Sequence, residues 1–368
     1  MQVNLATVEI LGNEKMKNKI KTFNPGPSQI SPRILQHISE MSLSGFLSLS
    51  HRSAIFSETC RKAIEGLYEN MQIPKNYLIL FQPSATVSMD TVLRNLVYSH
   101  SYHFVHGAFS QRFFKTANEL GLNAACHETP WNKAIHWEEA KIPLETELLA
   151  ITQNETSSGL MWPSETIENV RIKYPKPLLA IDATSSFSSL RMNWHDADIW
   201  FASVQKCLGL PSGLALIILS PKAFEKSKEL LKKKGGVASW QNFESMAKKM
   251  EAYQTIETPN MFAIALLAEQ MKSWDLEKIE SYTLEKAHLI YQDKNIWTPY
   301  VDDPAWRSPT VLNLTVKNPD FLHRKAHDAG FVLGKGYGKL KESCIRIANF
   351  PSVSREMLRS LFDALVKG

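Results

Sequence analysis

Lys206 stands just beyond the apolar run 199–202, after Ser203-Val204-Gln205, and just before a turn rich in glycine and proline, Gly209-Leu210-Pro211-Ser212-Gly213. Most lysines are solvated and chemically idle. A lysine at the end of a buried strand is different, because partial desolvation lowers its pKa and makes it a nucleophile, a base or a Schiff-base donor. Asp182 closes the preceding apolar run, Leu178-Leu179-Ala180-Ile181, and opens Ala183-Thr184-Ser185-Ser186. Alone, it could simply cap that turn. If the two runs are neighbouring strands of one sheet, however, the amine and the carboxylate stand together. Such a pair suits carbonyl chemistry on a heteroaromatic ring, with lysine holding an aldehyde and the carboxylate stabilising a protonated ring nitrogen.

Pyridoxal 5'-phosphate has those two groups, and it also needs an anion cradle and a flat surface. Gln82-Pro83-Ser84-Ala85-Thr86 lies between an apolar run and a helical one. Hydroxyls and free N–H groups at a helix start bind phosphate, although Ser and Thr are equally good caps. His106-Gly107-Ala108-Phe109-Ser110 follows another apolar run and offers Phe109 as a stacking face, where core packing is the commoner fate of a lone Phe.

The elements that must position these groups are short apolar runs alternating with amphipathic ones. Strands are expected at 77–81, 102–106, 148–152, 178–182, 199–202 and 214–219, with helices at 86–98, 111–120, 164–173 and 221–234. This alternation is that of an α/β domain with a mostly parallel central sheet, whose ligands gather at the carboxyl ends of the strands. After Thr258-Pro259 the pattern changes to long helices at 261–274 and 276–293, then strands near 311–316 and 345–348. The expected division is an N-terminal extension or leader over 1–20, a large α/β domain over 21–260 and a smaller α+β domain over 261–368, with the N-terminal segment packed on the smaller one. Within the leader, Met16 opens a basic run that reads as a chain start.

Composition removes several alternatives. The 368 residues carry 42 Lys+Arg against 37 Asp+Glu, a formal net charge of +5. Basic residues are interleaved with acidic ones rather than clustered, so nucleic acid is not an expected partner. No stretch approaches the ~18 apolar residues of a membrane span. The four cysteines are far apart and lack partners at metal-ligand spacing, so no metal or disulfide framework is expected and a reducing cytoplasm fits.

Seven segments, taken in order, resemble the class V, fold-type I pyridoxal-phosphate-dependent aminotransferases, and within them the phosphoserine aminotransferase branch. They are Asn24-Pro25-Gly26-Pro27, Ser50-His51-Arg52-Ser53, Asn154-Glu155-Thr156-Ser157-Ser158-Gly159, Asp182-Ala183-Thr184-Ser185-Ser186, Ser203-Val204-Gln205-Lys206, Glu257-Thr258-Pro259-Asn260 and Ile345-Arg346-Ile347. The resemblance implies Lys206 as cofactor lysine and proton shuttle, Asp182 as partner of the ring nitrogen, and Thr156 as partner of the phenolic oxygen. It implies Ser84, Ala85, Thr86 and Gln205 as phosphate ligands, and Phe109 as the stacking residue in place of the branch's usual Trp. It further implies a homodimer with shared sites, in which Thr258 reaches the neighbour's cofactor phosphate. Glu257 stands where Asn is usual and would repel that phosphate.

For substrates, the resemblance implies amino acids and keto acids. Arg346 would grip the α-carboxylate, and His51 and Arg52 would reach a phosphoserine phosphate across the dimer. The branch's Gly-His-Arg segment is missing here, replaced by Gly334-Lys335-Gly336-Tyr337-Gly338-Lys339-Leu340-Lys341, with Lys339 offering positive charge. Phosphoserine:2-oxoglutarate transamination is the leading expectation, with an alanine/serine-glyoxylate or serine-pyruvate type of aminotransferase as the alternative. A class V lyase using Cys344, or a non-catalytic homologue that binds the cofactor, comes third.

Overall fold

The runs Leu148–Thr152, Leu178–Asp182, Ile199–Ser203 and Ala215–Leu219 are buried at every position. Continuous apolar strands of this kind belong inside a sheet covered on both faces. The chain is represented by a computed structural model that describes residues 20–234, 239–292 and 296–366, so the leader expected over 1–20 falls outside the described residues except for Ile20.

The larger sheet has seven strands in the order Leu78–Gln82, Ala215–Leu219, Ile199–Ser203, Leu178–Asp182, Leu148–Thr152, His100–Val105, Asn123–Glu128. All neighbours are parallel except Ala215–Leu219, which runs antiparallel to both of its partners. The edge strand Asn123–Glu128 is absent from the sequence-based expectation. It is only half-buried and reads Asn-Ala-Ala-Cys-His-Glu, with no β-branched residue to mark it. Helices Ser164–Lys173 and Pro221–Lys234 fall at the expected residues.

A second sheet, of five strands, is ordered Lys21–Phe23, Phe331–Lys335, Cys344–Ala348, Val311–Thr315, Thr298–Pro299. The chain's first described strand thus pairs with the small domain, and Phe23 is buried in that domain's core with Leu312, Ile345 and Leu361.

Helix Met261–Met271 belongs to the larger core, where Ala263, Ile264, Leu266 and Leu267 are buried. The helix is apolar nearly all round and so must be covered on more than one side. It lies against helix Ala54–Asn70, where a Cβ on Gly66 would come within 2.6 Å of the Met271 side chain. The crossover between cores occurs inside Leu276–Gln292, since Leu276 packs in the first and Ala287 and Ile290 in the second. Among the described residues no helix is long and apolar enough to cross a membrane.

Candidate active site

Strands Leu178–Asp182 and Ile199–Ser203 are parallel neighbours, with Asp182 opposite Phe201. This register brings Asp182 and Lys206 to the same strand-end cavity. Its lining includes Ser84, Ala85, Thr86, Phe109, Thr156, Asp182, Gln205 and Lys206. Those eight residues, separated by as many as 122 positions in sequence, are the cofactor residues expected above apart from Thr258.

Lys206 is only half-buried by exposed area, yet it is lodged deeply enough that burial lowers its pKa to about 8. Arg346 pushes in the same direction, while Cys207, Asp182 and Glu155 oppose the shift. Its Nζ donates to the Pro25 carbonyl. Gly26 explains the Asn-Pro-Gly-Pro segment, because its φ is +145° and a Cβ there would lie 2.5 Å from Lys206 Nζ. A side chain at position 26 would therefore meet both backbone strain and a steric clash. Asp182 is buried, and desolvation raises its carboxyl to about 6 against the opposing pull of Thr184 and Lys206. Its Oδ1 accepts from Thr184 N at 3.0 Å.

Whether the cavity fits pyridoxal phosphate can be tested by its unsatisfied groups. Thr152 Oγ1, Asn154 Oδ1 and Thr184 Oγ1 are buried, lack partners within the protein and belong to lining residues. Buried polar atoms without partners are rare unless a ligand or water completes them. At one end of the cavity, helix Ala85–Leu96 begins with Ser84 as N-cap, its Oγ accepting from Val87 N at 3.3 Å. At the other, the Phe109 ring centroid is 5.8 Å from Lys206 Nζ. An aromatic face, a buried carboxylate, a low-pKa amine and a helix N-terminus match the four parts of the cofactor.

Arg346 lies on strand Cys344–Ala348 of the smaller sheet. It donates from Nη1 to the Thr156 carbonyl at 2.8 Å and from Nε to the Lys335 carbonyl at 2.7 Å. Burial lowers its pKa to about 10, still protonated at neutral pH.

The other expected residues do not line this cavity. Arg52 donates from Nη1 to Gln254 Oε1 at 3.0 Å and to the Thr255 carbonyl at 2.7 Å. His51 acts electrostatically on Glu257, whose pKa is raised chiefly by burial. His51 and Arg52 therefore gather with the segment that ends in exposed Thr258. Lys339 is exposed on the turn Gly338–Glu342.

Three residues near the site escaped the sequence reading. Ser203 Oγ accepts from Ala85 N at 2.8 Å, joining the lysine strand to helix Ala85–Leu96. Tyr337 lies between Phe109, at 6.0 Å between centroids, and Arg346, whose guanidinium carbon is 5.6 Å from the ring. Glu155 is buried behind Phe109. All three fall within segments that the sequence brought forward, Ser203 beside Lys206, Glu155 beside Thr156 and Tyr337 in the run Gly334–Lys341, but none was given a role there.

This pairing of a strand-end lysine and aspartate, set in a mostly parallel sheet with a small α+β domain closing one side, defines a pyridoxal-phosphate-dependent aminotransferase. The class-V aminotransferase family matches residues 20–335, and the chain belongs to that family. The phosphoserine aminotransferase of Rhodococcus jostii is 27% identical over 358 residues, covering 93% of each chain. A solved phosphoserine aminotransferase from Cytophaga hutchinsonii is 35% identical with a TM-score of 0.91, covering 95% of this chain and 100% of its own. An alanine–glyoxylate aminotransferase from Nostoc is similar in fold, with a TM-score of 0.80 at 20% identity and 99% coverage of both chains.

Proposed function

We propose that the chain is a phosphoserine:2-oxoglutarate aminotransferase that works as a homodimer in the cytoplasm. The observation that carries this reading is the 35% identity to the Cytophaga phosphoserine aminotransferase across nearly the whole of both chains. The four free cysteines, three of them buried, fit a reducing compartment.

Pyridoxal phosphate, once bound, supplies the electron sink that accepts charge from the substrate's α-carbon. Lys206 would hold the cofactor through its Nζ, and the same amine would take up and return a proton at the substrate's α-carbon. An amine shifted to about 8 is suited to both halves of that task, since it is neither fully protonated nor too weak a base near neutral pH. Asp182 keeps the ring nitrogen protonated, and Thr156 holds the phenolic oxygen. Ser84, Ala85, Thr86 and Gln205 take the phosphate, and Phe109 covers the ring. Arg346 presents a planar fork to the substrate α-carboxylate, and its bond to the Thr156 carbonyl fixes the fork relative to the ring.

His51, Arg52 and Thr258 serve the neighbouring subunit's site. That assignment predicts complementation. Arg52→Ala and Lys206→Ala homodimers are each inactive toward phosphoserine, but unfolding and refolding them together should restore about a quarter of the wild-type sites, as random pairing of symmetric dimers requires. No recovery despite mixed dimers would place Arg52 and Lys206 in the same subunit's site.

Tyr337 favours a second reading, an alanine/serine-glyoxylate type of aminotransferase. It puts an aromatic ring over Phe109 and Arg346, in the segment where the phosphoserine branch usually carries Gly-His-Arg. A half-reaction titration separates the two. O-phospho-L-serine, L-serine, L-alanine and L-glutamate are added singly, without keto acid, while the visible cofactor band is followed. Bleaching by phosphoserine and glutamate, with little response to serine or alanine, is the expected result. Bleaching by alanine or serine instead would move the chain to the second reading, and silence toward all four would remove both.

A further inference from the structure

Helix Ala108–Glu119 begins at Gly107, which makes no side-chain cap. The first N–H groups of such a helix need acceptors from elsewhere. Glu155 supplies them from the short strand Asn154–Glu155, which leads into the turn carrying Thr156. Its Oε2 accepts from Phe109 N at 3.1 Å, from Ser110 N at 2.9 Å and from Ser110 Oγ at 3.2 Å. Its Oε1 accepts from Ser157 N at 3.2 Å and Ser157 Oγ at 2.6 Å, and Ala108 N donates in turn to Ser157 Oγ at 2.9 Å. The side chain is fully buried at 0% exposure. A Cβ on Gly107 would lie 2.1 Å from Glu155 Cγ, so position 107 is kept bare for the carboxylate to pass.

We infer that Glu155 is a positioning residue that fastens Phe109, across the helix start, to the loop carrying Thr156, and thereby sets the slot in which the cofactor ring is held. The inference rests on the proposed roles of Phe109 and Thr156. Its physical basis is that one carboxylate takes the main-chain N–H of the stacking residue and immediately precedes, in sequence, the residue assigned to the phenolic oxygen. A local N-cap side chain would satisfy the helix start without attaching it to the Thr156 loop, and the contact at 107 leaves no room for one beside Glu155. The same carboxylate acts on Lys206 and Arg346, raising the pKa of each, so its charge is felt across the site.

Glu155→Gln preserves shape but turns an acceptor-only group into one with two donors, leaving main-chain N–H groups without acceptors. Titration of the apoprotein with pyridoxal phosphate is expected to show a Kd raised by about 10- to 100-fold. Phe109→Ala should also weaken binding, and the double variant should lose less than the sum of the two, because both act through one contact. In the loaded protein, the pH midpoint of the visible band should move to lower pH, since a negative charge near the chromophore's proton has gone. A helix cap with no positioning role would leave Kd unmoved and the two substitutions additive, while the midpoint would still shift because the charge has gone. Should Glu155→Gln fail to fold, Ser110→Ala, which removes a hydroxyl donor and spares the carboxylate, should give a smaller loss in the same direction. Unchanged binding in Phe109→Ala would overturn the stacking role itself. Weakened binding in Phe109→Ala together with fully additive effects, or with a wild-type Kd in Glu155→Gln, would overturn the role of Glu155.

Discussion

Lys206→Ala is expected to abolish the visible cofactor band and to reduce transamination by at least about 10²- to 10⁴-fold, the range that proton transfer alone contributes. Among the described residues lining the cavity, Lys206 is the only amine. No neighbour there can take over either covalent attachment or proton transfer. The variant should nevertheless fold well. The lysine's folded pKa is depressed from 10.5 to about 8, so below pH 8 the folded state carries a proton it disfavours, and that penalty is relieved only as pH rises from 8 toward 10.5. Removing the amine therefore relieves up to about 3 kcal/mol at neutral pH, against the loss of the bond to Pro25 worth about 1 kcal/mol. A dead enzyme with an undiminished apoprotein melting temperature is the expected signature, read by spectrum, rate and calorimetry. Persistence of the band would put the cofactor on another lysine.

The proposed lysine–aspartate pair was legible because it is built on strands that are buried throughout. The runs ending in Asp182 and preceding Lys206 are apolar at successive positions, and such runs mark the interior of a parallel sheet, whose strand ends hold the ligands. Edges and long-range bonds were much harder to read. Asn123–Glu128 pairs with a single strand and carries no continuous apolar signal. Helix Ala54–Asn70 has buried Phe56, Cys60, Ala63, Ile64 and Leu67 at helical spacing, a pattern the residues do contain but which lies beside the more conspicuous Ser-His-Arg-Ser string. Helix Met261–Met271 follows a proline-containing break yet packs in the first core, a placement that no local pattern marks. Ser203, Tyr337 and Glu155 gain their places from contacts across 118, 228 and 46 positions, with Ala85 and, for the last two, Phe109, and no local pattern encodes such meetings.

Asp182→Asn should move stability and activity in opposite directions, and this separates a carboxylate kept for chemistry from one that merely caps a turn. In the apoprotein, burial raises the Asp182 pKa from 3.8 to about 6. A raised folded pKa gives a stabilising contribution that is complete below pH 3.8 and is lost as pH rises through 6. At pH 7 the ionised carboxylate therefore costs the folded apoprotein about 3 kcal/mol relative to pH below 4. Asparagine cannot ionise, while its Oδ1 can still accept from Thr184 N, so the turn is retained. The variant apoprotein should melt at a higher temperature than wild type at pH 7, and its stability should vary less between pH 4 and 6. Transamination should fall by about 10²- to 10³-fold, because a neutral amide no longer favours a proton on the ring nitrogen. Were Asp182 only a cap, the gain in stability at pH 7, which follows from burial alone, would remain, but the rate would be left nearly intact. Calorimetry of the apoprotein across pH establishes that the carboxylate costs stability, and the rate of the loaded enzyme, read beside it, distinguishes the two roles because only the chemical one couples that gain in stability to a loss of turnover.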